Sequence, residues 1–219
     1  MTLTVRVVVR IKCLSLYYVG VGVEALALFS RVFEVVSARG KLLAFMNAAF
    51  FFCVFVVFFV SEFLLPSLPY EGLNPPFPEI INAGFPLMLL EIFAFNLGLS
   101  AFVFVTLPGF AFFPFSTGFL LYRASIWGVL LHYQPTWLFL IAMPTLVFEG
   151  EAYVFAAVAG TVVGGSWLKP KWFTNRSDVK RVESLTKSLK ECLAMYLLVA
   201  IFLLVAATIE AITVVTMFQ

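Results

Sequence analysis

The chain has 219 residues, of which 63% are hydrophobic and 12% are charged. A soluble domain carries about 45–50% apolar and about 25% charged residues, so this composition excludes a soluble enzyme and indicates an integral membrane protein. The net charge of +2 is small, and the positions of the basic residues are more informative than their sum.

The N-terminal segment before the first clear span allows two interpretations. Residues 13–37 are apolar enough for a marginal crossing of the membrane. Ser30, Glu34 and Ser37, however, share one face of a helix, which favours an amphipathic helix lying in the membrane interface. Whether this segment crosses the membrane stays open.

The rest of the chain is predicted to be an all-α, polytopic bundle of about five transmembrane helices. A helix needs about 20 apolar residues to cross a hydrocarbon core of roughly 30 Å, and lipid offers no partner for unpaired backbone groups. We therefore predict a cytoplasmic or interfacial segment over residues 1–41 and a transmembrane domain over residues 42–219. The predicted spans are residues 42–65, 84–107, 112–131, 136–168 and 192–216.

The fourth predicted span is too long for one simple crossing. A helix over residues 136–168 would be about 50 Å long. Pro144 and the pair Glu149-Gly150 lie near its middle. Two interpretations stay open: a helix broken near Glu149-Gly150, and a single tilted helix that protrudes from the bilayer.

Lysine and arginine cluster in two places, before the first span and between residues 169 and 190. The loop after the first span has neither, but carries Glu71 and Glu79. Because basic loops stay in the cytoplasm, we predict a multi-pass protein of the cell membrane with its N-terminus cytoplasmic and its C-terminus outside. The basic segment 169–190 is predicted to contact lipid headgroups rather than nucleic acid or an ATPase partner.

Six polar residues within the predicted spans form a candidate intramembrane cluster: Glu91, Asn96, Arg123, Glu149, Glu151 and Glu210. A charge in the hydrocarbon is rare unless it is paired or faces a polar cavity. Arg123 and Glu149 each fall near the middle of a predicted span. We therefore predict that these two side chains meet as an ion pair, which serves either a function or the locking of helices.

Enzyme motifs are nearly absent from the sequence. The single histidine, His132, excludes a His-Glu-x-x-His site, and neither a nucleophile elbow nor a phosphate loop occurs. No CxxC pair is present, so we predict no metal site and no cofactor. Glu149 and Glu151 are two positions apart and point in nearly opposite directions on an unbroken helix. We therefore expect no catalysis, and an intramembrane hydrolase that uses both carboxylates is a remote alternative.

Ala156, Gly160 and Gly164 recur at every fourth position and give one helix a flat face. Small residues at this spacing let another backbone approach closely in a membrane. Packing within the chain is the favoured interpretation, and an interface between copies of the chain is the alternative.

Several of these residues fall in a pattern that resembles the stage II sporulation protein M family. That family carries Pro-His-Gly-x-x-Glu followed by an alanine and two glycines, and this sequence has the same offsets in Pro144, Glu149, Ala152, Gly160 and Gly164. Further resemblance lies in Asn96, Thr117-Gly118-Phe119 and Ile209-Glu210-Ala211, so that it runs mainly over residues 96–219. The chain departs from the family pattern at Thr145, Leu146 and Thr117, where the family has His, Gly and Asn.

The resemblance implies a helical membrane protein of about five spans with no enzymatic activity of its own. The founding member works with peptidoglycan-cutting partners during engulfment in spore-forming bacteria. We accordingly expect a non-catalytic membrane subunit that scaffolds or recruits partners. Its expected partners are the lipid bilayer and other membrane or cytoplasmic subunits, with no nucleic acid. The alternative is a permease-like subunit of a transporter that works with a separate ATPase.

Overall fold

The computed structural model describes residues 28–66, 84–134, 136–170 and 180–218. The chain forms two compact units, Met1–Arg39 and Gly40–Gln219. The first unit is helical over residues 28–38, and most of the ambiguous segment 13–37 lies outside the described residues. In its described residues the second unit contains five helices: α1 Gly40–Leu64, α2 Phe85–Ala111, α3 Pro114–His132, α4 Thr136–Leu168 and α5 Arg181–Phe218.

The described residues form helices and no strand, which confirms the predicted all-α membrane class. Four helices, α1, α2, α4 and α5, are long and apolar enough to cross a membrane. The predicted third span, α3, is a helix of 19 residues but is not among these four. Arg123 and several hydroxyl side chains lower its apolar content, so its crossing of the membrane stays a prediction.

The predicted ends of the spans differ most from the structure in α5. Its predicted start was residue 192, whereas the helix begins at Arg181. The apolar pattern marks the part of a helix that fits the membrane, and the helix itself continues into the polar residues before it. Glu183, Lys187 and Glu191 follow one another at four-residue intervals there, a spacing that stabilises a helix in water.

Helix α4 is continuous from Thr136 to Leu168, with Pro144 inside it. The break considered near Glu149-Gly150 is therefore not present, and the alternative of a single long helix is correct. Gly150 serves packing instead, because a Cβ atom there would approach the ring of the fully buried Phe50 to 2.6 Å. Proline is tolerated inside a membrane helix where neighbouring helices support it, and α4 has neighbours along most of its length.

Helix α4 is the centre of the bundle. In the most apolar stretch of α4, 83% of the residues are buried, compared with 22% in the corresponding stretch of α1 and 39% in that of α5. The other four helices of the second unit all pack against it. A polar side chain on α4 therefore meets a neighbouring helix rather than lipid.

Helix α2 changes its winding along its length. It begins after Gly84, whose φ of +87° favours glycine, and residues Phe95–Thr106 form a π-helix. In a π-helix each backbone bond reaches one residue further than in an α-helix. The buried residues accordingly recur at intervals of four and five: Asn96, Ser100, Ala101, Val105 and Thr106.

The small-residue face of α4 packs against the C-terminal half of α2, within the chain. A Cβ atom on Gly160 would come within 2.7 Å of the backbone oxygen of Thr106, and one on Gly164 would overlap the backbone of Gly109. The hydroxyl of Thr106 donates to the backbone oxygen of Ala156 at 2.9 Å. The small-residue face therefore packs within the chain, which was the favoured interpretation. Helix α2 covers the surface that an interface with a second copy of the chain would need.

We predict that Gly160→Leu destabilises the bundle by about 1–3 kcal/mol, the usual cost of overpacking. The new side chain would collide with the Thr106 backbone and with Ser116. The matched control is Gly98→Leu on α2, where a Cβ atom meets nothing within 4 Å. Thermal unfolding in detergent should show a lower midpoint for Gly160→Leu alone, and equal midpoints for the two variants would contradict the close packing.

Candidate functional site

Three helices each bring polar side chains to one point inside the bundle. Arg123 comes from α3, Asn96 from α2, and Glu149 and Tyr153 from α4. The Nη2 atom of Arg123 donates to Glu149 Oε1 at 2.9 Å and to the hydroxyl of Tyr153 at 3.0 Å. The predicted ion pair between Arg123 and Glu149 is therefore present in the structure.

The hydroxyl of Tyr153 contacts each of the other three side chains in this network. It donates to Glu149 Oε1 at 2.5 Å, and Asn96 Oδ1 lies 3.1 Å from the same oxygen. A phenol has one hydrogen to donate, so the carboxylate and the amide compete for it, and the charged acceptor forms the stronger bond. The guanidinium carbon of Arg123 also lies 5.1 Å from the centre of the Tyr153 ring, within the range of a cation–π contact.

The local geometry follows from helical spacing. Glu149 and Tyr153 are four residues apart on α4, so both face the same neighbour. Asn96 is near the start of the π-helical part of α2, on its buried side. The side chain of Glu149 is 3% exposed and that of Arg123 is 26% exposed. The pair is thus largely withdrawn from solvent, where opposite charges attract more strongly than in water.

The other predicted members of the cluster lie elsewhere. Glu151 faces α1, where the Nδ2 atom of Asn47 donates to its Oε2 at 3.1 Å. Glu210 is half-buried on α5, within electrostatic range of Arg123 and Glu149 but without a hydrogen bond to either within the described chain. Glu91 is exposed on α2 and takes no part in the network. The structure therefore joins Asn96, Arg123 and Glu149, with Glu210 nearby.

Sequence reasoning missed Tyr153 and Asn47. The signal for Tyr153 was available, since it lies four residues after Glu149 on the same helix. Asn47 carried no comparable signal, because its partner depends on how α1 and α4 pack.

The geometry separates the two central carboxylates. Glu149 is bonded to Arg123 on α3 and Glu151 to Asn47 on α1, so the two carboxylates face different helices. His132 pairs with Glu62 at 2.9 Å, at the ends of α3 and α1. Within the described ranges, no group of three His, Cys, Asp or Glu side chains lies together in a way that suits a metal ion. The arrangement suits the holding of helices and the balancing of charge.

Comparison with known protein families decides the family of this chain. The family model described as Stage II sporulation protein M matches residues 41–214, from the start of α1 almost to the end of α5. The chain belongs to this family. The resemblance seen mainly over residues 96–219 is thereby confirmed and extends over α1. No curated protein and no solved structure gives a significant match.

We predict that Arg123 and Glu149 are strongly coupled in stability. Arg123→Met or Glu149→Gln alone should cost about 3–5 kcal/mol, because each leaves a buried partner without compensation. The double variant should cost less than the sum of the two, since no unpaired charge remains. The measurement is a double-mutant cycle by thermal unfolding in detergent.

The control for this cycle is Glu91→Gln, which removes one carboxylate from an exposed position outside the network. Its effect should stay within about 0.5 kcal/mol, as for most surface substitutions. Strictly additive losses for Arg123→Met and Glu149→Gln would show that the two charges are not coupled.

Proposed function

We propose that this member of the Stage II sporulation protein M family is a non-catalytic integral membrane subunit that scaffolds or recruits partner proteins. One observation carries the proposal. Among the described residues, Glu149 is the only charged side chain in the buried core, and its Oε1 atom is bonded to both Arg123 and Tyr153. The interior charge thus stabilises contacts between helices, as expected of a subunit that presents a fixed surface.

The outer surface of the bundle supports the same proposal. Helix α1 carries a row of exposed phenylalanines, with Phe52 at 71% and Phe63 at 87% exposure, which suits contact with lipid or with the helices of another subunit. At the other end of the sequence, Lys187 and Lys190 are exposed in the first turns of α5. A polar helical end of this kind suits contact with headgroups or with a cytoplasmic partner.

The directions of the helices support a five-span topology. Glu62 and His132 join the C-terminal ends of α1 and α3, so these two helices run in the same direction. Thr161 contacts Phe113, whereas Glu149 contacts Arg123, so α3 and α4 run in opposite directions. With 19 residues α3 is about 28 Å long, close to the thickness of the hydrocarbon core.

The basic residues support one orientation of this bundle. Ser166 near the end of α4 and Ser188 near the start of α5 lie 2.6 Å apart, so these two helix ends share one side. Lys169 and Lys187 belong to that side. Following the preference of basic residues for the cytoplasm, we propose a cytoplasmic N-terminus and a C-terminus outside the cell membrane.

Single cysteines test this topology in a background without Cys13, Cys53 and Cys192. Glu71→Cys lies between α1 and α2 in the sequence, and Asp178→Cys lies between α4 and α5. In intact cells an impermeant maleimide should label position 71, and position 178 should react only after the membrane is opened. Labelling of both positions from the same side would contradict five crossings.

A second candidate function is a permease-like subunit that works with a separate ATPase. Arg123 keeps 26% of its side chain exposed, and Glu210 on α5 is close to the same ion pair without bonding to it. Polar groups that stay open at the middle of a membrane bundle are typical of transporter binding sites. The two functions differ in what the Arg123–Glu149 charges are needed for.

Affinity purification of the full chain in mild detergent separates the two functions. A scaffold whose charges only lock helices should recover the same partners when Arg123→Met and Glu149→Gln are combined as when the wild-type chain is used. Glu91→Gln serves as the matched control for loss of a charge outside the network. Recovery of no specific partner by the wild-type chain would contradict scaffolding, and recovery of an ATPase subunit would favour the permease.

A further inference from the structure

Helix α2 carries a charge on its outer surface. Glu91 is exposed, and within the described chain it has no hydrogen bond and no ion pair. It lies six residues after Phe85, where α2 begins, and five residues before Asn96, which contacts the central Tyr153. At 1.5 Å per residue, position 91 is about 9 Å along the helix from its start. Glu91 therefore belongs to the apolar part of α2 that suits the membrane, and not to its end.

The chain itself offers Glu91 no cation at this depth. Residues 66–83, which precede α2, contain neither lysine nor arginine. Arg123 is the basic residue in the middle of the bundle, and it is bonded to Glu149 and Tyr153. The remaining lysines and arginines of the described helices α1 to α5 are Lys41, Arg181, Lys187 and Lys190.

These four basic residues lie on the other side of the bundle. Helix α2 runs in the same direction as α4, because Asn96 contacts Tyr153 and Gly109 lies against Gly164. Glu91 is therefore displaced toward the side where α4 begins. The starts of α1 and α5, which carry the four residues, are on the side where α4 ends.

A carboxylate that faces lipid is costly, and charged residues within membrane spans pair with one another or face a polar cavity. Lysine and arginine near helix ends extend their long side chains to the interface. The shorter side chain of Glu91 does not span the distance of about 9 Å to the start of α2. The compensating cation must therefore come from another membrane component.

Two small residues beside Glu91 leave room for another helix. Ala94 follows Glu91 by three residues and Gly98 follows Ala94 by four, so the three positions are neighbours on one side of α2. Ala94 and Gly98 are exposed, and a Cβ atom on Gly98 would meet nothing within 4 Å. Small residues let a second backbone approach closely in a membrane. The surface beside the charge thus suits a helix rather than a lipid chain.

We propose that Glu91, Ala94 and Gly98 form a docking face for a transmembrane helix of a partner subunit that carries a lysine or an arginine within its span. The proposal rests on the proposed function, because it names the surface at which the scaffold holds its partner. The basic side chain of the partner pairs with Glu91, and the small residues let the partner's backbone lie close to α2. A second copy of the chain does not suit this face, since in the described helices Arg123 is the basic residue at this depth and is already bonded.

Designed transmembrane peptides test the docking face directly. The probe is a single span of leucine and alanine with one arginine at the depth of Glu91, and its matched peptide has leucine in place of that arginine. Energy transfer from the labelled full-length chain to the labelled peptide, in lipid nanodiscs, measures their association. The arginine peptide should bind about tenfold more tightly than the leucine peptide, because a polar contact between helices in a membrane contributes about that factor.

Variants of the chain locate the binding of the peptide. Glu91→Gln should abolish the difference between the two peptides, and Gly98→Leu should weaken binding of the arginine peptide by filling the space beside the charge. The matched controls are Glu183→Gln, at an exposed carboxylate of α5, and Gly118→Leu, at an exposed glycine of α3 where a Cβ atom also meets nothing within 4 Å. Both controls should bind as the wild type does. Equal binding of the two peptides by the wild type, or an unchanged preference in Glu91→Gln, would overturn the proposal.

A photo-reactive amino acid in place of Ala94 identifies the occupant in native membranes. The expected adduct is an integral membrane protein with a lysine or an arginine within its span, and Glu91→Gln should lower its yield. Adducts with lipid alone, or with a second copy of the chain, overturn the proposal.

The affinity purification that separates the two proposed functions gives a further comparison. Glu91→Gln should lose the partner held at α2, whereas the combined Arg123→Met and Glu149→Gln variant should keep it. Recovery of no partner by the wild type would contradict the proposed function, and the peptide probes decide the docking face independently of that result.

Discussion

An arginine and a glutamate in the middle of a membrane bundle impose the strongest constraint on this fold. Neither charge is tolerated alone in hydrocarbon, so α3 and α4 must stay in the one register that keeps Arg123 and Glu149 within 2.9 Å. Tyr153 extends the constraint to α2 through its contact with Asn96. A slide of any of these helices by one turn would break the network, which gives the bundle a specificity that apolar packing alone lacks.

Close backbone packing makes this register attainable. Side chains as short as asparagine meet their partners only where helices lie near one another, and the glycines provide that distance. Gly160 and Gly164 bring α4 against α2, Gly150 admits the ring of Phe50 from α1, and Gly128 brings α3 to within contact of the Val54 backbone. Association of membrane helices depends on such packing together with interhelical hydrogen bonds, and here both occur on the same pairs of helices.

The sequence predicted the parts of the fold that follow from one helix at a time. Apolar runs located α1, α2 and α4 to within a few residues, and the pairing of Arg123 with Glu149 followed from the cost of a lone charge. The partner of Glu151 was not predictable, because it depends on the angle at which α1 crosses α4. The π-helical winding at Phe95–Thr106 was not predicted either, because an apolar run does not distinguish an α-helix from a π-helix. The early start of α5 was missed because hydropathy marks only the apolar part of a helix, the part that suits the membrane. A polar extension of the same helix into water gives no hydropathy signal.

That early start has a mechanical consequence. Helix α5 runs for 38 residues from Arg181 to Phe218 and contains neither glycine nor proline, the residues at which helices usually bend. Its polar first turns extend by about 16 Å beyond the part that suits the membrane. A rod without a hinge transmits a sideways push along its whole length, so a force applied at Lys187 reaches Tyr196 and its bond to Thr106 inside the bundle. The polar first turns of α5 are therefore rigidly continuous with the part of the helix that packs in the core, and the bond between Ser166 and Ser188 ties them to the end of α4.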